Sequence, residues 1–131
     1  KFLIVDLLTW MHQNKVDYTN TFCHLMSIKV DQNEKFEDIN FQNWKKRWQE
    51  RLKINKSTKE KNIKLMKSVN PLVIPRNHKV EEALEISERG DFKYVDQLME
   101  VLKKPYSQQK NILEYQIPSN FNKNYQTFCG T

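Results

Sequence analysis

Residues 78–104 read HKVEEALEISERGDFKYVDQLMEVLKK, and the fold class turns on this stretch. Its first half, VEEALEISERG, is rich in residues that a helix accepts at little cost, and the helix is expected to begin near Asn77 or His78. Gly90 falls where helices commonly close on a left-handed residue, a conformation glycine adopts without a Cβ penalty. Asp91 then offers a cap for a second helix, FKYVDQLMEVLKK. Its Phe92, Val95, Leu98, Met99 and Leu102 recur at helical spacing and are expected inside. Pro105 follows its end. The two halves make a helical hairpin with a turn of very few residues.

The pattern repeats outward from this hairpin. In SVNPLVIPRNH, residues 68–78, Pro71 and Pro75 forbid a helix across the junction. A helix is expected upstream of them, opened by STKE, where Ser57 and Glu60 have the spacing of a capping box. Another spans Asp38 to Asn55, with Phe41, Trp44, Trp48 and Leu52 on one face. DQNEKFED, residues 31–38, is polar and reads as loop. In DYTNTFCHLMSI, residues 17–28, Asp17 is the expected cap and Tyr18, Phe22, Leu25 and Met26 the inner face. Cys23 sits at the edge of that face as a small core filler. KFLIVDLLTWMHQN forms a first helix to about Asn14, with Leu3, Leu7, Trp10 and Met11 as its stripe. The aromatic faces of these first three helices are expected to meet in one core.

Beyond Pro105 the periodicity vanishes. Tyr106, Tyr115, Phe121, Tyr125 and Phe128 make this tail too aromatic for a free linker, so it is expected to dock on a surface. Two glycines and four prolines in 131 residues are too few to punctuate a many-stranded sheet. The predicted fold is therefore all-α: an irregular bundle of five to six helices with an extended, aromatic-rich C-terminal arm.

The net charge of +6 is uneven. From Asn43 to Lys67 ten basic residues face two acids, Glu50 and Glu60. Lysines and arginines beside Trp44 and Trp48 invite a nucleic-acid reading, with phosphates neutralised and indoles stacked on bases. The preferred reading is a solvated helix face, because both indoles share a stripe with Phe41 and Leu52 where a core belongs. A nucleic-acid partner is thus not the expected one. The alternative reading is a non-enzymatic helical interaction module that binds an acidic protein or nucleic acid through residues 43–67.

No apolar run approaches the ~20 residues that span a bilayer, and KFLIVDLL lacks the features of a signal peptide. No membrane partner and no secretion are expected. Cys23 and Cys129 do not form a disulfide framework and fit a reducing compartment. His12, His24 and His78 have no metal-ligand spacing with either cysteine. No catalytic constellation is present: there is no glycine-rich phosphate loop and no Ser-His-Asp setting. No catalytic, cofactor-binding or metal-binding residue is therefore assigned within the chain. Arg76, Asn77 and His78 open a helix after a proline, and an anion could use its free N–H groups with Arg76 as a fork. The preferred alternative makes Asn77 an N-cap and Arg76 a structural donor to nearby carbonyls. The chain begins with Lys1 and runs at once into a helix without a capping residue, which reads as a truncation within a longer protein.

Several elements together resemble the C-terminal end of the selenoprotein O (SelO, also called YdiU) family. They are DYTNTF at 17–22, WKKRWQERL at 44–52, NPLVIPRNHKVEEAL at 70–84, RGDF at 89–92, LKKPY at 102–106 and the closing YQTFCGT. The most specific is the element formed by Asn70, Pro71, Ile74, Pro75, Arg76, Asn77, His78, Val80 and Glu81. The resemblance implies a protein adenylyltransferase of pseudokinase fold that binds ATP in a flipped orientation. Such a protein transfers AMP to hydroxyl side chains of proteins, with Mg or Mn bridging the phosphates. The nucleotide and metal residues lie upstream in the family, so none is carried over here. By the same implication, residues 1–104 are a helical region bracing a larger kinase-like protein, and 105–131 a tail carrying Cys129. The family places a selenocysteine or cysteine where Cys129 stands, and the implied role is redox. Many relatives end Cys-Ser-Ser where this chain ends Cys-Gly-Thr, which leaves the thiol and keeps one of the two flanking hydroxyls, on Thr131. The implied partners are the kinase-like part of the same protein and its protein substrates. The implied location is the cytoplasm in bacteria or the mitochondrion in eukaryotes.

Overall fold

In the computed structural model, which describes residues 2–31 and 33–119, every regular element is helical. Seven α-helices occur among the described residues: α1 (Leu3–Asn14), α2 (Tyr18–Leu25), α3 (Ile39–Ile54), α4 (Lys59–Val69), α5 (Asn77–Glu88), α6 (Lys93–Leu102) and α7 (Ile112–Gln116). A 3-10 helix covers Asn33–Glu37. The all-α expectation stands. The count exceeds five to six because α7 forms within the stretch expected to be extended.

The chain divides after Leu72 into two compact units. The first is organised around aromatic rings. Leu7, Trp10 and Met11 of α1 are buried, and so are Phe41 and Trp44 of α3. Trp10 and Phe41 lie 4.7 Å apart between ring centroids, and Phe36 and Phe41 5.1 Å. Phe36 belongs to the polar-looking stretch 31–38, yet it is fully buried. A single apolar ring gains about 2–3 kcal/mol on burial, enough to pull a short polar segment into a 3-10 turn against the core. Gln42 holds that turn by donating from Nε2 to the Phe36 carbonyl. Lys35 donates from Nζ to the carbonyls of Asn14 and Lys15, satisfying the end of α1.

Of the caps in this unit, the one at Asp17 follows the sequence, Asp38 is a further one, and that of α4 is displaced. Asp17 accepts from the Asn20 N–H at the start of α2. Asp38 accepts from the Asn40 and Phe41 N–H groups at the start of α3, and also from the Trp10 indole. At α4 the cap is Thr58, accepting from Lys61 N–H, and not Ser57. The inner face of α2 also differs from expectation: Tyr18 is exposed, whereas Thr19, Asn20, Thr21 and Cys23 are buried. The hydroxyl of Thr21 donates to the Asp17 carbonyl one turn back, which makes its burial affordable.

The second unit is the hairpin α5–α6 with α7. Gly90 has φ +89, the left-handed closure read from the sequence, and its N–H donates to the Ser87 carbonyl. Asp91 accepts from the Lys93 N–H as α6 begins. Inside lie Val73, Ala83, Leu98, Ile112 and Gln116. Phe92 and Met99, expected inside, are exposed. The small core of this unit leaves the apolar stripe of α6 wider than the surface available to cover it.

Candidate functional site

The sequence element around Asn70–His78 spans the end of the first unit and the start of the second, and each part has its own anchors. In the first unit Asn70 closes α4: its backbone and side-chain N–H groups both donate to the Met66 carbonyl. The Cys23 sulfur lies 3.8 Å from the Pro71 carbonyl oxygen and 3.9 Å from that of Leu72. Cys23 is wholly buried, which removes its thiol from solution chemistry. It fills core space, and it lies deep in the unit rather than at the edge of the α2 face.

In the second unit Arg76 occupies the N-cap position of α5, with extended backbone and no capping side chain, and Asn77 is the first helical residue. The cap therefore falls one residue earlier than the sequence suggests. The Arg76 Nη2 donates to the Gln116 carbonyl at 3.2 Å, tying the start of α5 to the end of α7. Pro75 precedes Arg76 and holds this entry outside the helix. His78 is partly buried and its pKa lies below the ordinary value, first through loss of hydration and then through the charges of Lys79 and Arg76. Lys79 pairs with Glu82 at 3.4 Å and Glu114 at 3.7 Å. Both cations nearest this helix start are thus engaged by protein groups, so a fork for an external anion is not what Arg76 presents.

The other candidate is a groove in the first unit. It has two mouths that share Leu25, Trp48, Leu52, Asn62 and Met66. One, of about 360 Å3, opens toward Leu3, Ile4, Leu7 and Leu8 of α1. The other, of about 330 Å3, opens between α3 and α4 and is bordered by Lys45, Lys53 and Lys59. The groove exists because α4 packs thinly: none of its residues is buried. Trp44 is locked into the core, its indole N–H donating to the Leu3 carbonyl at 2.7 Å. Trp48 stacks on Trp44 at 5.8 Å and forms groove wall. Neither indole stands free as a platform for a base, although Lys46, Arg47, Arg51 and Lys53 are exposed as expected.

No group of three or more His, Cys, Asp or Glu side chains placed to hold a metal occurs among the described residues. The described residues thus present no carboxylate cluster of the kind that holds a metal–nucleotide complex. No helix among the described residues is long and apolar enough to cross a membrane. Cys129 lies outside the described residues, as do Phe121, Tyr125 and Phe128.

Sequence reasoning missed the groove and Phe36. The signal for the first was present in α4, whose Ile63, Leu65, Met66 and Val69 make an apolar stripe with no partner named for it. Nothing in periodicity marks Phe36.

Comparison with known proteins gives one family. The family model described as protein adenylyltransferase SelO matches residues 1–103. A protein nucleotidyltransferase YdiU from Pelagibacter ubique is 44% identical over all of this chain, which covers 27% of that protein. The Clostridium botulinum protein of the same name is also 44% identical, with the same coverage. That of Bacillus cereus is 43% identical over 98% of this chain. The chain thus spans about a quarter of the length of the curated relatives it matches.

Proposed function

Because the chain belongs to the SelO family of protein adenylyltransferases, we propose that it is the helical portion of a longer nucleotidyltransferase that moves AMP from ATP to Ser, Thr or Tyr hydroxyls of proteins. The observation that carries this reading is the family match over residues 1–103, joined to 44% identity across the whole chain with proteins named nucleotidyltransferases. The portion described here contributes scaffold. ATP and its Mg or Mn ion bind in the remainder of the polypeptide, which keeps the kinase-like fold of the resemblance. The apolar side chains left on α1, Ile4, Val5 and Leu8, support a bracing role, since a helix apolar on both faces is built to be covered on both. Cys129 serves as a redox-capable thiol of the tail. The relatives are bacterial, and the location proposed for a bacterial member is the cytoplasm.

The test is label transfer with the longer protein. With ATP labelled at the α-phosphate and Mg or Mn present, the label is expected on protein; with the γ-phosphate labelled, none is expected. Transfer of the γ-phosphate alone would make the protein a kinase, and transfer of neither would remove the nucleotidyltransferase reading. The Cys129 role is read separately: an oxidant should lower the free-thiol count of the longer protein by a Cys129-dependent amount that Cys129→Ser abolishes.

A further inference from the structure

We propose that the groove between α3 and α4 seats an acidic amphipathic helix supplied by the part of the longer polypeptide that lies outside this chain. The inference rests on the family reading above. Its chemistry comes from the groove itself. The floor is apolar, made by Leu25, Trp48, Leu52, Ile63 and Met66, and the border carries Lys45, Lys53 and Lys59 with no Asp or Glu. None of these lysines forms an ion pair among the described residues, whereas Lys79, Lys103 and Arg47 each do. Three ammonium groups border one apolar floor, and a carboxylate that enters among them is attracted by all three.

The extent of the apolar surface selects a helix over a small molecule. It runs from the lysine border, past Trp48 and Leu52, to Ile4 and Leu8 at the other mouth. It continues onto Leu65 and Val69, which are 66% and 63% exposed on α4. A drug-sized ligand is enclosed by one cavity. A stripe that overruns two adjoining mouths suits a helix, which presents apolar anchors at i, i+3, i+4 and i+7. Acidic residues along one edge of that helix would meet the three lysines and fix its direction.

Tethering selects the source. This chain covers 27% of the relatives it matches, so nearly three-quarters of such a polypeptide lies elsewhere and is covalently joined to it. A tethered segment sees the groove at an effective concentration of about millimolar, well above that of most free partners.

Zero-length carbodiimide coupling of the longer protein, followed by peptide mass spectrometry, tests this. The reagent joins an ammonium group to a carboxylate only where they already touch, with water lost to the carbodiimide. Lys45, Lys53 or Lys59 should be amide-linked to Asp or Glu of the same polypeptide outside these 131 residues, in a yield independent of protein concentration. Links only between copies, links only to carboxylates within this chain, or no links from the three lysines would each overturn the proposal. The double variant Lys53→Glu, Lys59→Glu should abolish the links and lower the melting temperature of the longer protein. The pair Lys64→Glu, Lys67→Glu, on α4 but away from the groove, should change neither; equal effects from both pairs would also overturn it. The coupling needs no ATP, so links without AMP transfer would sink the functional reading alone, and AMP transfer without links would sink the groove.

Discussion

At the scale of single residues, His24 shows how one side chain records its surroundings. Its ring stacks on Phe36 at 4.0 Å and meets Phe41 edge-on. Nδ1 lies 3.2 Å from the Asn33 Oδ1, an atom that only accepts, so the fitting tautomer carries its proton on Nδ1. Nε2 is then bare and has no hydrogen-bond partner among the described atoms. Burial lowers the pKa of His24 below 6.5; the Asn33 hydrogen bond opposes this, Lys45 adds to it and Glu37 opposes it. Since the folded value lies below the unfolded one, the unfolded chain binds more protons in acid. The neutral ring's contribution is complete above the unfolded pKa of 6.5 and is lost as pH falls through the lower folded value. His24→Phe should therefore flatten the fall in stability on acidification, measured by urea unfolding between neutral and mildly acidic pH; an unchanged slope would refute it. All three tryptophans, Trp10, Trp44 and Trp48, lie in the first unit, so indole fluorescence follows His24's own unit. By the same measurement Phe36→Ala should cost about 3–5 kcal/mol, the usual range for emptying a core ring site. A loss below about 1 kcal/mol would mean that the 3-10 turn is not part of the core.

At the scale of elements, the helices were legible and their edges were not. The hairpin α5–α6 and its Gly90 closure follow from residues 78–104 because each signal there is local: helix formers, one glycine, one aspartate. The cap of α4 falls one residue later than the sequence suggests because Ser57 and Thr58 are both competent caps, and the choice lies in how the chain leaves α3 through Lys56, whose φ is +54. Thr58→Ala should then cost about 1 kcal/mol and Ser57→Ala clearly less, read from thermal melts followed at the helical band. The reverse order would restore Ser57 as the cap. Burial was the harder inference. α2 buries Thr19, Asn20 and Thr21 in place of Tyr18 because short polar side chains that can bond the nearby backbone fit close helix contacts where a phenol does not. Of the candidate site, the element Asn70–His78 was visible as sequence. The groove was not, since a cavity depends on what α4 fails to touch, and periodicity reports only which face of a helix is apolar.

At the scale of the whole molecule, the balance between core and surface decides behaviour in solution. Ile4, Val5 and Leu8 of α1 are 73%, 58% and 46% exposed, while Leu7, Trp10 and Met11 on the other side are buried. The second unit leaves Phe92 and Met99 62% and 52% exposed. Single exposed apolar residues are ordinary, but three within five residues of one helix form a patch of the kind that proteins cover. For the isolated 131 residues the available cover is another copy. Light scattering after size exclusion should show a mass that rises with concentration, and Ile4→Lys with Leu8→Lys should return it toward 15.9 kDa. In the longer protein the same pair should act with the opposite sign. There the two lysines enter a covered face, and the melting temperature should fall, because burying an unpaired ammonium costs more than the lost apolar contact. A pair of substitutions that helps the short chain and harms the long one is the signature of a face made for the rest of the polypeptide. If the short chain stays monomeric at high concentration and the variant melts like the parent in the longer protein, α1 carries its apolar residues for no partner at all.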